Sequence, residues 1–385
     1  MFRRKKVLQQ NNSAERVVEN DLGMMDQPYL ILTVMLVVIG LLVLFSASYA
    51  RAYYLTGNSA SYFINQLLFA VVGVIAMLLI SRVPYDWYRR WSLVIYGVTI
   101  LLLLAVLIPG IGVKVNGARR WINLGITNFQ PSEIAKFAMI LMLSIVMCNY
   151  QKEIRSFRTL LVCGVVIGLI AILLILEPHF SATIIIGTVA LCMMLIGGVN
   201  WKYLLALVAV AGGLLLLLML TGGYTSDRIT AWRNPEADPL DTGLQILQSE
   251  YAIGSGGLLG LGFGKSRQKY LYLPEEHNDY IFAIACEELG FIGAVGILLL
   301  FALLIIRGYW IAVHARDRFS MLLAAGLTTL LAVQVILNVA VVTNLLPATG
   351  ISLPFFSSGG TALMMQLGEC GIVLNISRSI SQSKR

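Results

Sequence analysis

The sequence predicts an all-α integral membrane protein with ten transmembrane helices and a large extracytoplasmic loop between the seventh and eighth helices. Of its 385 residues, 58% are hydrophobic and only 12% are charged, and the mean hydropathy is +0.81. Soluble domains have about 25% charged residues. The composition therefore excludes a soluble globule with an ordinary polar surface.

The expected spans follow from the apolar runs, because a helix needs about 20 apolar residues to cross the hydrocarbon core of a bilayer. We expect a single membrane domain over residues 28–377, between cytoplasmic tails at 1–27 and 378–385. The expected spans cover residues 28–50, 62–82, 92–110, 131–149, 159–176, 181–199, 203–221, 279–306, 319–346 and 358–377.

Basic residues set the expected orientation. The chain has 28 Lys and Arg against 20 Asp and Glu, which gives a net charge of +8. Most of the basic residues fall in the tails and in short loops on the side of the N-terminus, the positive-inside bias. We therefore expect both termini in the cytoplasm and no nucleic-acid partner. The longest loop, 222–278, then lies outside the cytoplasm, and loops of that length usually carry function.

The first polar cluster surrounds the start of the fourth expected span. Lys114, Arg119 and Arg120 lie on a side where the positive-inside bias disfavours cations. A need to bind phosphate explains them, because guanidinium groups bind phosphate through paired hydrogen bonds. Binding of lipid headgroups is the alternative. Glu133 and Lys136 are spaced i, i+3 and can pair, and such a pair marks the wall of a hydrated cavity, whether its role is structural or functional.

A second group of polar residues runs from the end of the long loop into the eighth expected span. Glu275, His277 and Asp279 lie at the mouth of that span, and Glu287 and Glu288 lie further along it. Burial near hydrocarbon should raise the pKa of Asp279, which makes it a candidate proton acceptor. A helix N-cap is the alternative for Asp279. Helical geometry turns Glu287 and Glu288 to different faces, so we expect them to have different roles.

Two uncharged segments complete the pattern. A glycine-rich strip, residues 254–264, allows close backbone approach, and Lys265 follows it. The re-entrant segment, residues 344–361, precedes and enters the tenth expected span and contains Ser357 and Gly359. Non-helical backbone at membrane depth is tolerated only where it lines a cavity. We expect the re-entrant segment to line one.

Together these clusters resemble the SEDS family, the shape, elongation, division and sporulation proteins, with FtsW, RodA and SpoVE as its types. The matching blocks lie in order along essentially the whole chain, and the overall likeness favours the FtsW division type. The blocks read NGARRWINLG with NFQPSEIAK, then RITAWRNPEADPLDTGLQILQSEYAIGSGGLLGLGFGKSRQK, which begins at Arg228, LPEEHNDYIFAIACEELG and NLLPATGISLPFFSSGGT.

The resemblance implies a peptidoglycan glycosyltransferase that polymerises lipid II, an undecaprenyl-pyrophosphate disaccharide-pentapeptide, on the outer face of the bacterial cytoplasmic membrane. It implies a class B penicillin-binding transpeptidase and other divisome or elongasome proteins as partners. A divalent cation, Mg or Mn, is expected near Asp279, which takes the place of the family's essential aspartate. The expected substrate-binding residues are Arg119, Arg120, Glu133, Lys136, Lys265, Glu275, His277, Ser357 and Gly359.

Two positions depart from the family's pattern. The Pro-Asp turn that commonly follows the fifth span is Pro178 and His179 here, so this chain lacks that carboxylate. Ser358 stands where an aromatic residue is often found. The first departure bears on substrate or cation binding, and the second bears on packing near the tenth span.

Other function classes also fit parts of the sequence. A lipid II flippase or another membrane transporter would also have ten spans with buried charges. Against a transporter, the polar groups concentrate at the outer face instead of the midplane, and no inverted repeat is evident. A scaffold that only recruits a synthase would need no acid and cation inside the membrane.

Overall fold

The protein is described by a computed structural model. It describes residues 23–115, 118–123, 125, 128–220, 224–239 and 243–382. Most of the predicted N-terminal tail, residues 1–22, and the last residues of the predicted C-terminal tail, 383–385, lie outside this range.

A helix occupies most of each segment that we expected to cross the membrane. In chain order the helices are α1 (Gln27–Thr56), α2 (Ser61–Ile80), α3 (Tyr85–Leu107), α4 (Pro131–Asn149), α5 (Phe157–Leu176), α6 (Phe180–Gly197), α7 (Trp201–Leu220), α8 (Tyr224–Arg233), α9 (Leu244–Gly256), α10 (Ile281–Val313), α11 (Arg318–Val342) and α12 (Gly360–Gln382). Within the described residues, 8 of these, α1 to α6, α10 and α11, are long and apolar enough to cross a membrane. The helical membrane fold is confirmed, and the count of ten spans stays a prediction.

A small antiparallel sheet lies between α3 and α4, where we expected only a loop. Its strands, in sheet order, are β1 (Gly112–Val115), β2 (Ala118–Asn123) and β3 (Asn128–Phe129). In the β1–β2 pair, Val113 is opposite Trp121 and Lys114 is opposite Arg119. The register shifts between Val113 and Lys114, so Arg120 is the extra residue of a β-bulge that lies between these two pairs.

The centre of the bundle is formed by α4 and α11. In each, 78% of the most apolar window is buried, against 22% in α2 and α3. The exposed apolar faces of α2 and α3 are those expected of helices that meet lipid, whereas α4 and α11 meet other helices. The Glu133–Lys136 pair is therefore carried by one of the two central helices.

The long helix α10 is broken at Gly290, which has φ 68° and ψ −171°. Backbone of the glycine-rich strip fills the break. The N–H of Phe291 donates to the carbonyl of Gly257 (2.9 Å), and the N–H of Leu261 donates to the carbonyl of Glu287 (3.0 Å). The broken helix and the strip thus satisfy each other's backbone groups, as buried backbone requires.

Close approach explains why the strip contains glycine. A Cβ on Gly256 would lie 2.1 Å from the carbonyl oxygen of Cys286, and a Cβ on Gly260 would lie 2.2 Å from that of Glu288. Side chains at these positions would overlap the backbone of α10. The close backbone approach predicted for the strip is confirmed.

The helices of the long loop dock on the end of α11 and on the start of the re-entrant segment. The indole Nε1 of Trp232 donates to the carbonyl of Asn344 (3.0 Å). The side chain of Asn344 donates to Glu250 of α9 (2.8 Å), and the hydroxyl of Ser249 donates to the carbonyl of Val342 (2.8 Å). The long loop is therefore fastened to the segment that precedes the last helix.

Candidate active site

Asp279 lies just before α10 and not inside it. The helix begins at Ile281, and its N-cap residue Tyr280 makes no side-chain cap hydrogen bond. The N-cap alternative for Asp279 is therefore wrong. Its carbonyl oxygen accepts a hydrogen bond from Asn338 Nδ2 of α11 (2.8 Å). Its Oδ2 faces Gly350 of the re-entrant segment, where an added Cβ would be 3.2 Å away. The carboxylate is thus held where α10, α11 and the re-entrant segment meet.

The residues before Asp279 are fastened to the re-entrant segment. The hydroxyl of Ser357 donates to the carbonyl of Asn278 (2.8 Å), and the N–H of Ser358 donates to the carbonyl of His277 (3.0 Å). The ring of His277 contacts Tyr62 of α2 edge-on, with ring centroids 4.8 Å apart. In this arrangement Ser357 and His277 fix the backbone beside Asp279.

Gln66 of α2 holds the end of the re-entrant segment. Its Nε2 donates to the carbonyl of Ser357 (3.1 Å), and its Oε1 accepts from the N–H of Gly359 (3.1 Å). The amide nitrogen and the amide oxygen of this buried side chain are therefore both hydrogen-bonded to backbone. Through this contact Gly359 lies next to the candidate site.

Two arginines from distant segments approach Asp279. Arg120 of β2 donates to the carbonyl of Pro178, and Arg228 of α8 donates to the carbonyl of Ala348 in the re-entrant segment. The small sheet and the long loop therefore each bring a guanidinium group to the same end of the bundle. Arg120 was predicted, whereas Arg228 was only part of a matching block.

The pKa of Asp279 is raised from its ordinary value to about 6. Burial is the largest cause, and the negative charge of Glu275 adds to it. The charges of Arg228, His277 and Arg120 act in the opposite direction. The raised pKa that we expected from burial is thus explained by burial together with a neighbouring carboxylate.

Glu133 and Lys136 form the predicted ion pair. Lys136 Nζ lies 2.9 Å from one carboxylate oxygen of Glu133 and 2.8 Å from the other. Both side chains are largely buried. Glu369 of α12, which we did not predict, interacts electrostatically with both members of the pair. A cation is therefore held at a fixed place on the central helix α4.

No contact brings the other two predicted cations into this cluster. Arg119 is not among the charges that act on Asp279, and Lys265 is exposed at the end of the glycine-rich strip. Within the described ranges, neither side chain makes a hydrogen bond or an ion pair. Their predicted roles in substrate binding stay predictions.

A buried polar cluster beside Arg120 was not expected. Glu177, directly after α5, is buried, and its carboxylate oxygens have no hydrogen-bond partner in the part of the chain that the structure describes. Burial raises the pKa of Glu177 to about 8, against the charge of Arg120. Burial, and then the charges of Arg120 and Lys136, lower the pKa of His179 to about 3. Its Nε2 lies 3.3 Å from Gln130 Nε2. Burial therefore favours the neutral form of both groups.

Glu287 and Glu288 bind the same short stretch after the glycine-rich strip. Glu288 accepts from Ser46 Oγ (2.6 Å), Lys269 Nζ (3.1 Å) and the N–H of Ser266 (3.2 Å). Glu287 accepts from the hydroxyl of Ser266. Their partners differ, since Glu288 pairs with the cation Lys269 whereas Glu287 accepts from uncharged groups. The expectation of different roles stays a prediction.

Among the described residues, no group of three or more His, Cys, Asp and Glu is arranged to hold a metal ion. Asp279 and Glu275 supply two carboxylates. Mg²⁺ is usually bound by one or two carboxylates together with substrate phosphates and water. A divalent cation near Asp279 stays a prediction that depends on substrate for its remaining ligands.

Fold and site together define a multi-pass helical membrane protein with a carboxylate and several cations gathered at one end of its bundle. The chain belongs to the family of cell cycle proteins that comprises FtsW, RodA and SpoVE, and the family matches residues 27–382.

Relatives and solved structures agree with this membership. Stage V sporulation protein E of Bacillus subtilis (strain 168) is 44% identical over 352 residues, covering 90% of this chain and 95% of that protein. A protein of Trichlorobacter lovleyi named "Probable peptidoglycan glycosyltransferase FtsW" is 39% identical over 366 residues, 95% of each chain. The crystal structure of Thermus thermophilus RodA is 26% identical, with a TM-score of 0.68 over 92% of this chain and 97% of that one. A chain of a peptidoglycan synthase complex shares the fold, with a TM-score of 0.78 at 24% identity over 93% and 98% of the two chains.

Proposed function

We propose that this chain is a peptidoglycan glycosyltransferase that polymerises lipid II into glycan strands at the outer face of the bacterial cytoplasmic membrane. The observation that carries the proposal is Asp279, a carboxylate with its pKa raised to about 6, facing Arg120 and Arg228 at one end of the bundle. The activity named for the FtsW relatives supports the same reaction. Ten spans, with both termini in the cytoplasm, would place this end outside.

Asp279 acts as the general base. It removes the proton from a sugar hydroxyl of the acceptor lipid II while that oxygen bonds to the anomeric carbon of the lipid-linked donor chain. The bond from this carbon to the donor pyrophosphate breaks with inversion, and the pyrophosphate leaves with the electron pair. A pKa of about 6 suits this step, because the carboxylate is ionised at pH 7 and still basic enough to accept the proton.

Cations stabilise the leaving pyrophosphate. Arg120, Arg228 and Lys136 come from β2, α8 and α4, and each is held by protein contacts before substrate arrives. Charge that is arranged in advance opposite developing charge is usually the largest single contribution to catalysis. Glu133 keeps Lys136 in place through both of its oxygens.

Replacing Arg120 with alanine should reduce the rate of polymerisation by about 10²-fold, the usual effect of losing one group that stabilises transition-state charge. The comparison variant is Arg119→Ala, which removes the neighbouring charge of β2. Because Arg120, and not Arg119, is among the charges that act on Asp279, we expect a smaller loss in Arg119→Ala. Initial rates of lipid II consumption at equal enzyme concentration test this. A larger loss in Arg119→Ala would assign the phosphate to Arg119 instead.

A class B penicillin-binding transpeptidase is the proposed partner, together with other divisome or elongasome membrane proteins. The peptidoglycan synthase complex that shares this fold supports such an assembly. The transpeptidase would cross-link the strands that this chain makes, so both active sites belong on the same side of the membrane.

The test is polymerisation of lipid II by the purified protein in detergent, with and without the transpeptidase, with glycan strands separated on a gel. We expect strands under at least one of these conditions. If no strands form under either condition, the proposal is refuted. Transfer of lipid II across liposome membranes by the same protein would then favour the transporter alternative.

A further inference from the structure

A second ion pair lies close to Asp279 along the chain. Arg51, near the end of α1, donates from Nε and Nη2 to the two carboxylate oxygens of Glu276 at 2.8 and 3.0 Å. The side chain of Glu276 is 0% exposed and that of Arg51 is 25% exposed. Two-point Arg–carboxylate contacts fix geometry as well as charge. They join α1 to the turn that carries Asp279.

The backbone of that turn includes a conformation that its residues do not favour. Glu275 has φ 56°, a left-handed conformation that side chains other than glycine adopt rarely. A turn of this kind persists when surrounding contacts hold it. Ser357 and Asn338 hold the turn by its carbonyl oxygens. The Arg51–Glu276 pair holds it by a buried charged side chain.

We propose that Arg51 is a positioning residue that acts through Glu276 to fix the turn presenting Asp279 to the acceptor hydroxyl. This inference rests on the proposed function. Reacting atoms must be held at about 3–3.5 Å, and a misplacement of about 1 Å can cost 10²-fold in rate. Loss of the pair should therefore lower kcat much more than it changes KM.

Another ion pair, at the other end of α1, provides a matched control. Arg307 of α10 pairs with Asp26, directly before α1, through Nη2 and Oδ2 at 2.7 Å, with exposures of 32% and 7%. Arg307 Nε also donates to both carboxylate oxygens of Asp26 at 3.0 Å, so this pair ties the start of α1 to α10. At about 1.5 Å per residue, the two pairs are separated by roughly 38 Å along α1. Arg307→Gln thus removes a similar pair far from Asp279.

The experiment compares Arg51→Gln, Glu276→Gln and Arg307→Gln in lipid II polymerisation, with initial rates measured against lipid II concentration. We expect kcat to fall about 10- to 100-fold in the first two variants, with KM within about twofold. Arg307→Gln should keep the wild-type kcat. The exchanged pair Arg51→Glu with Glu276→Arg should recover at least about tenfold over Arg51→Glu alone, because it restores the contact.

Equal kcat values in Arg51→Gln and Arg307→Gln would overturn the positioning role. If Arg51→Gln does not fold, Glu276→Gln decides, since it leaves no buried unpaired carboxylate. Hydrogen exchange of the backbone over residues 275–280 gives a readout that does not depend on activity. Faster exchange in Arg51→Gln than in Arg307→Gln supports the role, and equal exchange overturns it. If the wild-type protein does not polymerise lipid II, the proposed function is refuted. The hydrogen-exchange comparison alone then decides whether Arg51 positions the turn.

Discussion

Asp279→Asn should reduce the rate of lipid II polymerisation by about 10³-fold and leave a folded protein. Loss of a general base typically costs about 10² to 10⁴ in rate. Asparagine has nearly the same shape, and the backbone carbonyl that accepts from Asn338 is unchanged. Strand formation on gels, at equal amounts of wild-type and variant protein, measures the loss.

The same substitution should not lower stability at pH 7. The pKa of Asp279 in the fold is about 6, above its ordinary value. Folding therefore favours the protonated form, and the stability contributed by this group is lost as pH rises through that pKa. An uncharged asparagine avoids this cost, so its Tm at pH 7 should equal or exceed that of the wild type.

Asn278→Ala is the matched control for Asp279→Asn. The Asn278 side chain makes only a 3.5 Å contact with Glu275, and its backbone carbonyl still accepts from Ser357. We expect its polymerisation rate to stay within about twofold of wild type. Wild-type rates in Asp279→Asn would refute the base assignment. Equal losses in both variants would show that the turn matters and the carboxylate does not.

Replacing Lys269 with methionine should destabilise the fold by about 3–5 kcal/mol, the usual cost of removing one partner from a buried ion pair. Lys269 Nζ donates to Glu288 (3.1 Å), to Ser46 Oγ (3.1 Å) and to the carbonyl of Gly264. Without it, Glu288 would be buried beside Glu287 with no cation. Thermal unfolding in detergent should show a Tm lower by roughly 5–10 °C.

Lys265→Met is the control for that measurement, because Lys265 is exposed four residues earlier. Its Tm should stay close to wild type, as expected for a surface substitution. Adding Glu288→Gln to Lys269→Met should restore part of the lost stability, since it removes the stranded charge. An unchanged Tm in Lys269→Met would contradict the buried network.

The membrane helices were predictable because an apolar run of about 20 residues is a local property. The hydropathy pattern did not reveal a change of backbone conformation inside an apolar run. The eighth expected span, 279–306, begins two residues late as α10 and breaks at Gly290, because backbone from the glycine-rich strip replaces the missing helical hydrogen bonds. The small sheet was also missed, because its strands are short and their pairing depends on residues outside each strand.

The site was predictable only in part. Glu133–Lys136 followed from i, i+3 spacing, and Asp279 followed from its position at the mouth of an apolar run. Arg51–Glu276 joins residues 225 positions apart, and no local pattern links them. Glu177 gave one usable signal, an acid directly after a span on the side expected to be outside. Arg120 could not be preferred to Arg119 until the structure placed its charge near Asp279.

The most direct measurement of the central claim is the pH dependence of kcat/KM for polymerisation, which reports the pKa values of the free enzyme. With Asp279 as the base and a pKa of about 6, kcat/KM should rise with unit slope below pH 6 and level off above it. Glu275 raises this pKa, and Arg228, His277 and Arg120 lower it, so Glu275→Gln should move the acidic limb to lower pH. A kcat/KM that is constant from about pH 5 to pH 8, or a limb that Glu275→Gln leaves in place, would contradict the assignment of Asp279 as the base.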